Sequence, residues 1–452
     1  MTQANVSISV EDSSPVTRTF RVEVPLEQVQ KAHQTTIEEY RRQVRIPGFR
    51  PGKAPTPVVI KNYKSEIDRS VQEQLIRESI GEAVESYDGK VLGVRDVNPD
   101  TFEAKAAFVY RAVVEVPPEF KLQSYKKMKL ERPYKEASEA DIDKVLADLQ
   151  LRNAEFADAD AGYTAADGDQ LTVDYTATAD GEVINDGEQE DYLAVIGGPA
   201  LHAEFSKQLI GKTAGSDLAF EITYGDDDAP QDDLKGKTAQ FKVAVKSIQK
   251  RVLPKLDDAF AAKMLPDANL ESLRQRIRDD FQNNAESEAK RALELQVYEQ
   301  MLEAHPFDVP EGVVEKRQRD LAEETAGRLM QQGYPKNALK NLMPMVYADT
   351  AKRAANDVRV GFLMDAVAEA ESITADDSDA EAALASIAEA QGQSKEAVIA
   401  RAKENDVFDQ VLAELKQRKA LDFIIEHATI KDVDPEAFQA ARAKKEEAEA
   451  EK

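Results

Sequence analysis

In VTRTFRVEV the apolar residues Val16, Phe20, Val22 and Val24 share the even positions, the period of a half-buried strand. Pro25 follows where a first helical residue tolerates proline, and LEQVQKAHQTTIEEYRRQV then runs with helical spacing. The stretch IPGFRPGKAPTP breaks the pattern with glycine and proline. A second helix is predicted over about 65–87, with Ile67, Val71, Leu75, Ile76, Ile80 and Val84 on one stripe. Phe102 to Val116 reads as one long strand, ended by Pro117 and Pro118. Residues 1–116 thus form an α+β domain.

Beyond it the texture changes twice. Residues 117–159 read as a linker with a helix, marked by Ile142, Val145, Leu146 and Leu149, that packs on the C-terminal domain. Over 160–252 the runs LTVDYTATADGEVI, YLAVIGG, DLAFEITYG and AQFKVAVKSIQ are divided by Gly and Asp turns, which predicts an antiparallel β domain with a short helix. From 253 to 440 the pattern is helical throughout. One long helix is marked by Leu270, Leu273, Ile277, Phe281, Leu293, Val297 and Met301, with others over roughly 311–332, 344–371, 378–390, 394–404 and 407–428. The tail, 441–452, has almost no apolar content and is expected to be disordered. The fold class is therefore multidomain α+β, with an all-α C-terminal domain.

Composition narrows the chemistry. Among 452 residues, 59 Lys and Arg face 85 Asp and Glu, a net charge of −26, which argues against a surface that is basic overall. With no Cys, disulfides, thiolate metal sites and cysteine nucleophiles are excluded, and four scattered His make a His-rich metal centre unsupported. No cofactor is expected. No basic-then-apolar leader opens the chain and no run approaches a membrane span, so a cytoplasmic location without membrane contact is expected.

The charge is uneven. Between Arg41 and Lys64 lie seven basic residues and no acidic one: Arg41, Arg42, Arg45, Arg50, Lys53, Lys61 and Lys64. At its centre, the glycines and prolines of Pro47 to Pro55 predict a stiff exposed loop. Phe49 at its tip, beside Arg50 and Lys53, reads as an aromatic anchor flanked by cations for phosphate or carboxylate. A solvated turn with Phe49 folded onto its own domain fits the same residues. Conversely, Asn153 to Ser206 carries thirteen acidic residues and no Lys or Arg, either a solvated acidic face or an attraction for basic client segments.

Gly48-Phe49-Arg50-x-Gly52-Lys53-x-Pro55 resembles the signature of the trigger factor family in full, and the domain order resembles that family over the whole length. The resemblance implies a chaperone that docks at the ribosomal exit tunnel, on RNA and protein of the large subunit, through Gly48, Phe49, Arg50, Gly52, Lys53, Pro55 and the neighbouring Arg45. It implies nascent and unfolded polypeptides as clients, a homodimer off the ribosome, and a middle domain of the FKBP type. Val173 to Thr176, Asp180-Gly181-Glu182 and Gly197, then Leu234 to Lys237 and Phe241 to Val243, are similar to the opening and end of an FKBP-type prolyl isomerase. Rotation about X–Pro is slow, and an apolar pocket with a hydrogen-bond donor favours its twisted transition state without nucleophile, metal or base. By resemblance the catalytic pocket is Tyr175, Tyr192, Leu201, His202, Phe205 and Phe241, although Tyr175 and Phe241 would equally suit a β-domain core.

Three departures point to weak catalysis. Ile184-Asn185 stands where an aromatic–acid pair is usual, His202 replaces a hydrophobic side chain, and Gly225 to Asp233 lacks the tyrosine that reaches into such sites. In the helical region six of eight Met occur, a residue suited to adaptable apolar surfaces as well as to cores. Two other functions stay open: a prolyl isomerase whose flanking domains recruit substrate, and an RNA-binding factor using the 41–64 patch.

Overall fold

Strand pairing in the N-terminal domain follows the even-position pattern. In the computed structural model, which describes residues 6–50, 52–179, 182–184, 189–199, 201–225, 234–405 and 407–450, β1 (Ser7–Ser14), β2 (Thr17–Val24), β3 (Gly93–Pro99) and β4 (Phe108–Glu115) form a sheet of order β1-β2-β4-β3. The helices α1 (Leu26–Gln43) and α2 (Thr56–Glu85) cover one face of it. Phe20, Val22 and Val24 are fully buried with Ile67, Val71, Leu75, Phe108 and Tyr110. A buried bond joins the Ser79 and Tyr110 hydroxyls at 2.8 Å, which satisfies the phenol inside the core.

Two expectations shift here, and one strand was not foreseen. The helix expected from about residue 65 starts at Thr56, with a non-helical Tyr63 (φ −129°, ψ 29°) inside it. Pro57 falls in its first turn, where a missing N–H costs nothing. The strand expected from Phe102 begins only at Phe108, because Ala106 N–H turns back onto the Glu103 carbonyl (3.1 Å). β1, at a sheet edge, is mostly exposed; the alternation of Val6, Ile8 and Val10 marks it, with Val6 and Ile8 packing against the core.

The chain divides into two compact units, residues 1–133 with 289–433, and residues 134–288 with 434–452. The first also holds β5 (Lys129–Pro133), part of the long α6 (Leu270–Ala304), α7 (Glu311–Gln331), α8 (Lys336–Ala370), α9 (Asp377–Ala390), α10 (Lys395–Glu404), α11 (Val407–Glu426) and β12 (Thr429–Val433). Leu130, Val297, Met301, Leu363, Val367, Leu421 and Ile424 build its helical core. β12 pairs in parallel with β5, from Thr429 opposite Lys129 to Val433 opposite Pro133.

α8 corrects the expected helix start at residue 344. It begins after Pro335 and carries Pro344 inside. One turn beyond the proline, the Tyr347 carbonyl accepts from Gln318 Nε2 (2.6 Å) on α7 and from Thr350 Oγ1 (3.0 Å). Those bonds tie α7 to α8 one turn past the proline, whose missing N–H removes the ladder bond to the Lys340 carbonyl on its other side.

The second unit contains α3 (Glu139–Arg152), β6 (Glu155–Asp158), β7 (Gln170–Ala179), β8 (Glu182–Val183), β9 (Gln189–Val195), α4 (Ala203–Leu209), β10 (Asp217–Thr223), β11 (Thr238–Val252), α5 (Asp258–Met264) and α12 (Pro435–Ala450). Its sheet runs β10-β11-β7-β8, with β6 on β11 and β9 on β7, all antiparallel. α3 opens with a capping box between Ser138 and Asp141, and its Ile142 and Leu146 pack with Phe260, Leu273 and Ile277. The tail expected to be disordered is instead helical through Ala450. Asp434 accepts from the N–H groups of Glu436 (3.0 Å) and Ala437 (3.1 Å), and the Ala, Glu and Lys that follow are good helix formers.

Candidate functional sites: an exposed cationic loop and an aromatic pocket

α1 is stopped by Val44, whose backbone is extended (φ −79°, ψ 145°) while its N–H still bonds the Tyr40 carbonyl at 2.9 Å. Two successive turns follow, Phe49 N–H to the Ile46 carbonyl (3.0 Å) and Lys53 N–H to the Arg50 carbonyl (2.9 Å). Gly48 (φ +89°) and Gly52 (φ +79°) supply the left-handed conformations those turns require, and a Cβ at either would meet nothing within 4 Å. Glycine is thus needed there for backbone conformation rather than for space. Buried Ile46 and Ala54 pin the two ends of the loop to the domain core, and Pro55 leads into α2.

The tip is left in solvent. Phe49 is 42% exposed and does not pack against its own domain's core. Arg45, Arg50, Lys53 and Pro55 are exposed, and among the described residues no carboxylate pairs with the three cations. Other members of the basic window are engaged differently. Lys64 is held by Asp68 at 2.8 Å, which pushes its pKa up, and Arg41 turns Nε inward, where no protein acceptor meets it among the described residues.

The residues expected for the prolyl pocket do come together. Tyr175 on β7 meets Tyr192 on β9 edge-on (5.4 Å between ring centroids), Phe205 on α4 at 6.0 Å and Phe241 on β11 at 6.3 Å. Phe205 and Phe241 are 5.3 Å apart at 89° and are buried as a floor. Leu201 packs partly buried beside them. His202 caps α4, its Nδ1 accepting from Glu204 N–H at 3.2 Å, and stands edge-on to Tyr224 at 5.4 Å.

Burial first, and then the nearby Tyr192, raise the Tyr175 pKa, so that hydroxyl is a neutral donor at physiological pH. Phe220 on β10 completes the cluster, 5.2 Å from Phe205 and stacked on Phe241 at 5.7 Å. The sequence reading missed Phe220 and Tyr224, although the alternation in DLAFEITYG puts both on the face of Ile222. Of the sequence departures, Ile184 packs against this core, whereas Asn185 and residues 226–233 lie outside the described residues.

A groove of about 520 Å³ also crosses this sheet, lined by residues of β7, β10 and β11 with Gln189 and Glu190. It shares only Tyr175 with the residues of the expected pocket. Beside it, Lys246 bridges Asp174 (2.7 Å) and Asp191 (2.8 Å), which raises the lysine pKa and lowers that of Asp174.

Comparison with known proteins agrees with this geometry at the level of domains. Residues 6–149 match the family described as bacterial trigger factor protein, residues 269–426 its C-terminus, and residues 162–246 the FKBP-type peptidyl-prolyl cis-trans isomerase family. A solved structure described as "Promiscuous Substrate Recognition in Folding and Assembly Activities of the Trigger Factor Chaperone" aligns over 93% of this chain and 99% of that one, with a TM-score of 0.47 and 18% identity. Among the described residues no helix is long and apolar enough to cross a membrane. The trigger factor of Desulfosudis oleivorans is 28% identical over 435 residues, covering 95% of this chain and 97% of its own. That of Coxiella burnetii is 31% identical over 399 residues, 88% of this chain and 89% of its own. With both ends and the middle matched in order, the chain belongs to the trigger factor family.

Proposed function

We propose that this protein is a chaperone that docks on the large ribosomal subunit through the 44–55 loop and shields nascent polypeptides as they emerge, working in the cytoplasm. The observation that carries the reading is the loop tip: an exposed phenylalanine beside three cations that no carboxylate pairs among the described residues, on a backbone fixed by two turns. Such a tip loses little conformational entropy on binding. It offers an aromatic anchor for a protein or base surface and cations for RNA phosphates. The acidic excess elsewhere, −26 over the chain, disfavours broad contact with RNA and so confines docking to this tip.

Client contact is assigned to the helical part of the first unit. Met301 and Met364 are core residues, whereas Met330, Tyr334, Met345 and Tyr347 are exposed around the α7–α8 turn, Met345 by 64%. Adaptable side chains of this kind bind many apolar segments weakly. Off the ribosome, the same side chains would meet a second copy in a homodimer.

The FKBP-type domain adds prolyl isomerisation as a secondary activity. The Tyr175 hydroxyl would donate to the prolyl amide, and the rings of Tyr192, Phe205 and Phe241 would exclude water from the twisted bond. A weak activity is the better reading, because Phe205 and Phe241 are packed tightly against other rings and His202 brings a polar edge to the wall.

Three docking cations give a definite salt dependence. Log affinity for ribosomes should fall with log salt at a slope of about −2 to −3, a loss of about 20- to 60-fold between 50 and 200 mM. Co-sedimentation with ribosomes over a KCl series measures it. Binding that ignores salt would remove the phosphate contacts from the proposal.

A further inference from the structure

Within the first unit, the N-terminal sheet is tied to the start of α7 by reciprocal charges. The β3 and β4 strands lie side by side, with Gly93 opposite Glu115. Glu115, 3% exposed at the end of β4, accepts from Gly312 N–H through Oε1 at 2.6 Å. Arg95 on β3 pairs with Glu311, the first residue of α7. One strand thus brings an anion to the positive end of the helix, and its neighbour brings a cation to the carboxylate beside it.

Gly312 makes the approach possible. A Cβ there would stand 2.6 Å from Glu115 Oε2. The buried apolar clusters on the two sides are separate: the N-terminal one draws on residues up to Val114, and the helical one takes in the connector from Phe120 and Leu122 onward. A contact made of charge and hydrogen bonds, with no shared apolar core, can part and rehydrate at small cost. The connector beyond it is anchored again at Gln123, whose N–H donates to His305 Nε2 (2.8 Å) while His305 Nδ1 donates to the Met301 carbonyl (2.8 Å). Phe120 already stacks on Phe307 (4.4 Å between ring centroids), Leu122 packs against the helical core, and Val116 N–H is held by the Val16 carbonyl (3.0 Å), so the segment free to pivot is short, from Pro117 to Glu119.

We propose that Glu115 and Gly312, supported by Arg95 and Glu311, form a reversible latch between the N-terminal domain and the α7–α8 hairpin. Closed, it fixes the direction of the 44–55 loop relative to the exposed side chains of that hairpin. Open, it lets the domain swing on residues 117–119. The latch stands whether or not the loop binds ribosomes; its use in aiming a docked chaperone rests on that proposed function.

The absence of Cys makes the full chain easy to label. Dyes at Thr35→Cys on α1 and Glu323→Cys on α7, both exposed positions, report the two sides by single-molecule energy transfer. Glu115→Gln removes the charge and Gly312→Ala removes the space. Each is expected to shift the ratio of closed to open molecules about fivefold toward open, and to speed amide exchange at Gly312 by a similar factor. Exchange at Val22 and Tyr110, in the domain core, should stay unchanged. An unaltered ratio in folded Gly312→Ala protein would overturn the latch, as would loosening of Val22 and Tyr110 in step with Gly312. Should Glu115→Gln fail to fold, Arg95→Ala provides the second test, with the same expected direction and the same overturning result.

Discussion

Replacing Phe205 by alanine should destabilise the FKBP-type domain by about 3–5 kcal/mol and abolish any prolyl isomerase activity. Phe205 is 4% exposed and touches the rings of Tyr175, Phe220 and Phe241 at once, so its loss leaves a cavity beneath the pocket as well as a missing wall. α4, which carries it, spans only Ala203–Leu209 and has little stability of its own without that packing. In a domain of this size the change corresponds to a fall in melting temperature of roughly 12–40 °C. Calorimetry on the full chain, paired with a proline-limited refolding assay, measures both. Tyr175→Phe is the contrasting variant: it keeps the ring and removes the hydroxyl, so the fold should survive while catalysis drops. A Phe205→Ala protein with an unshifted transition would mean that the rings do not form the core described.

A triple change in the 44–55 loop, Phe49→Ala with Arg50→Ala and Lys53→Ala, should do the opposite: ruin the proposed ribosome binding and spare the fold. All three side chains are exposed, and the two turns of the loop are closed by backbone bonds that alanine retains. Stability should therefore move by no more than about 0.5 kcal/mol. An aromatic anchor and two phosphate-reaching cations together should lower ribosome affinity by at least about 100-fold. Urea denaturation and ribosome co-sedimentation of the same preparation separate the two effects. Unchanged sedimentation would reject the loop as the docking element, and the RNA-binding alternative that uses the same patch would fail with it.

The 44–55 loop was legible in the sequence because everything that shapes it is local. The glycines at 48 and 52 meet conformations that other residues avoid, Pro55 leads into α2, and no acidic residue falls between Arg41 and Lys64. The core strands were legible for a similar reason: alternation in VTRTFRVEV marks Phe20, Val22 and Val24, each fully buried. What escaped depends on partners distant in the chain. β5 pairs with β12 across some 300 residues, and both are short and largely polar, so neither carries a local strand signal.

Pro344 misled in the other direction. Proline commonly marks a helix start, yet here Gln318 from the neighbouring helix braces the turn after it. The pocket lies between these cases. Tyr175, Tyr192, Phe205 and Phe241 were found through resemblance, while Phe220 waited for the β10–β11 register that sets it directly opposite Phe241. The Glu115–Gly312 contact had no sequence signal, since a glutamate ending a strand and a glycine in a helix are each unremarkable alone.

The chain's role as a docked chaperone can be tested at its two contact points at once. A photoreactive analogue in place of Phe49, and separately in place of Met345, can be installed in full-length protein and irradiated on ribosomes stalled with a nascent chain. Position 49 is expected to cross-link to RNA or protein of the large subunit, and position 345 to the nascent polypeptide. Nascent-chain cross-links at position 345 with none to the ribosome at position 49 would contradict docking through this loop. Absence of both would contradict the proposed function as a whole.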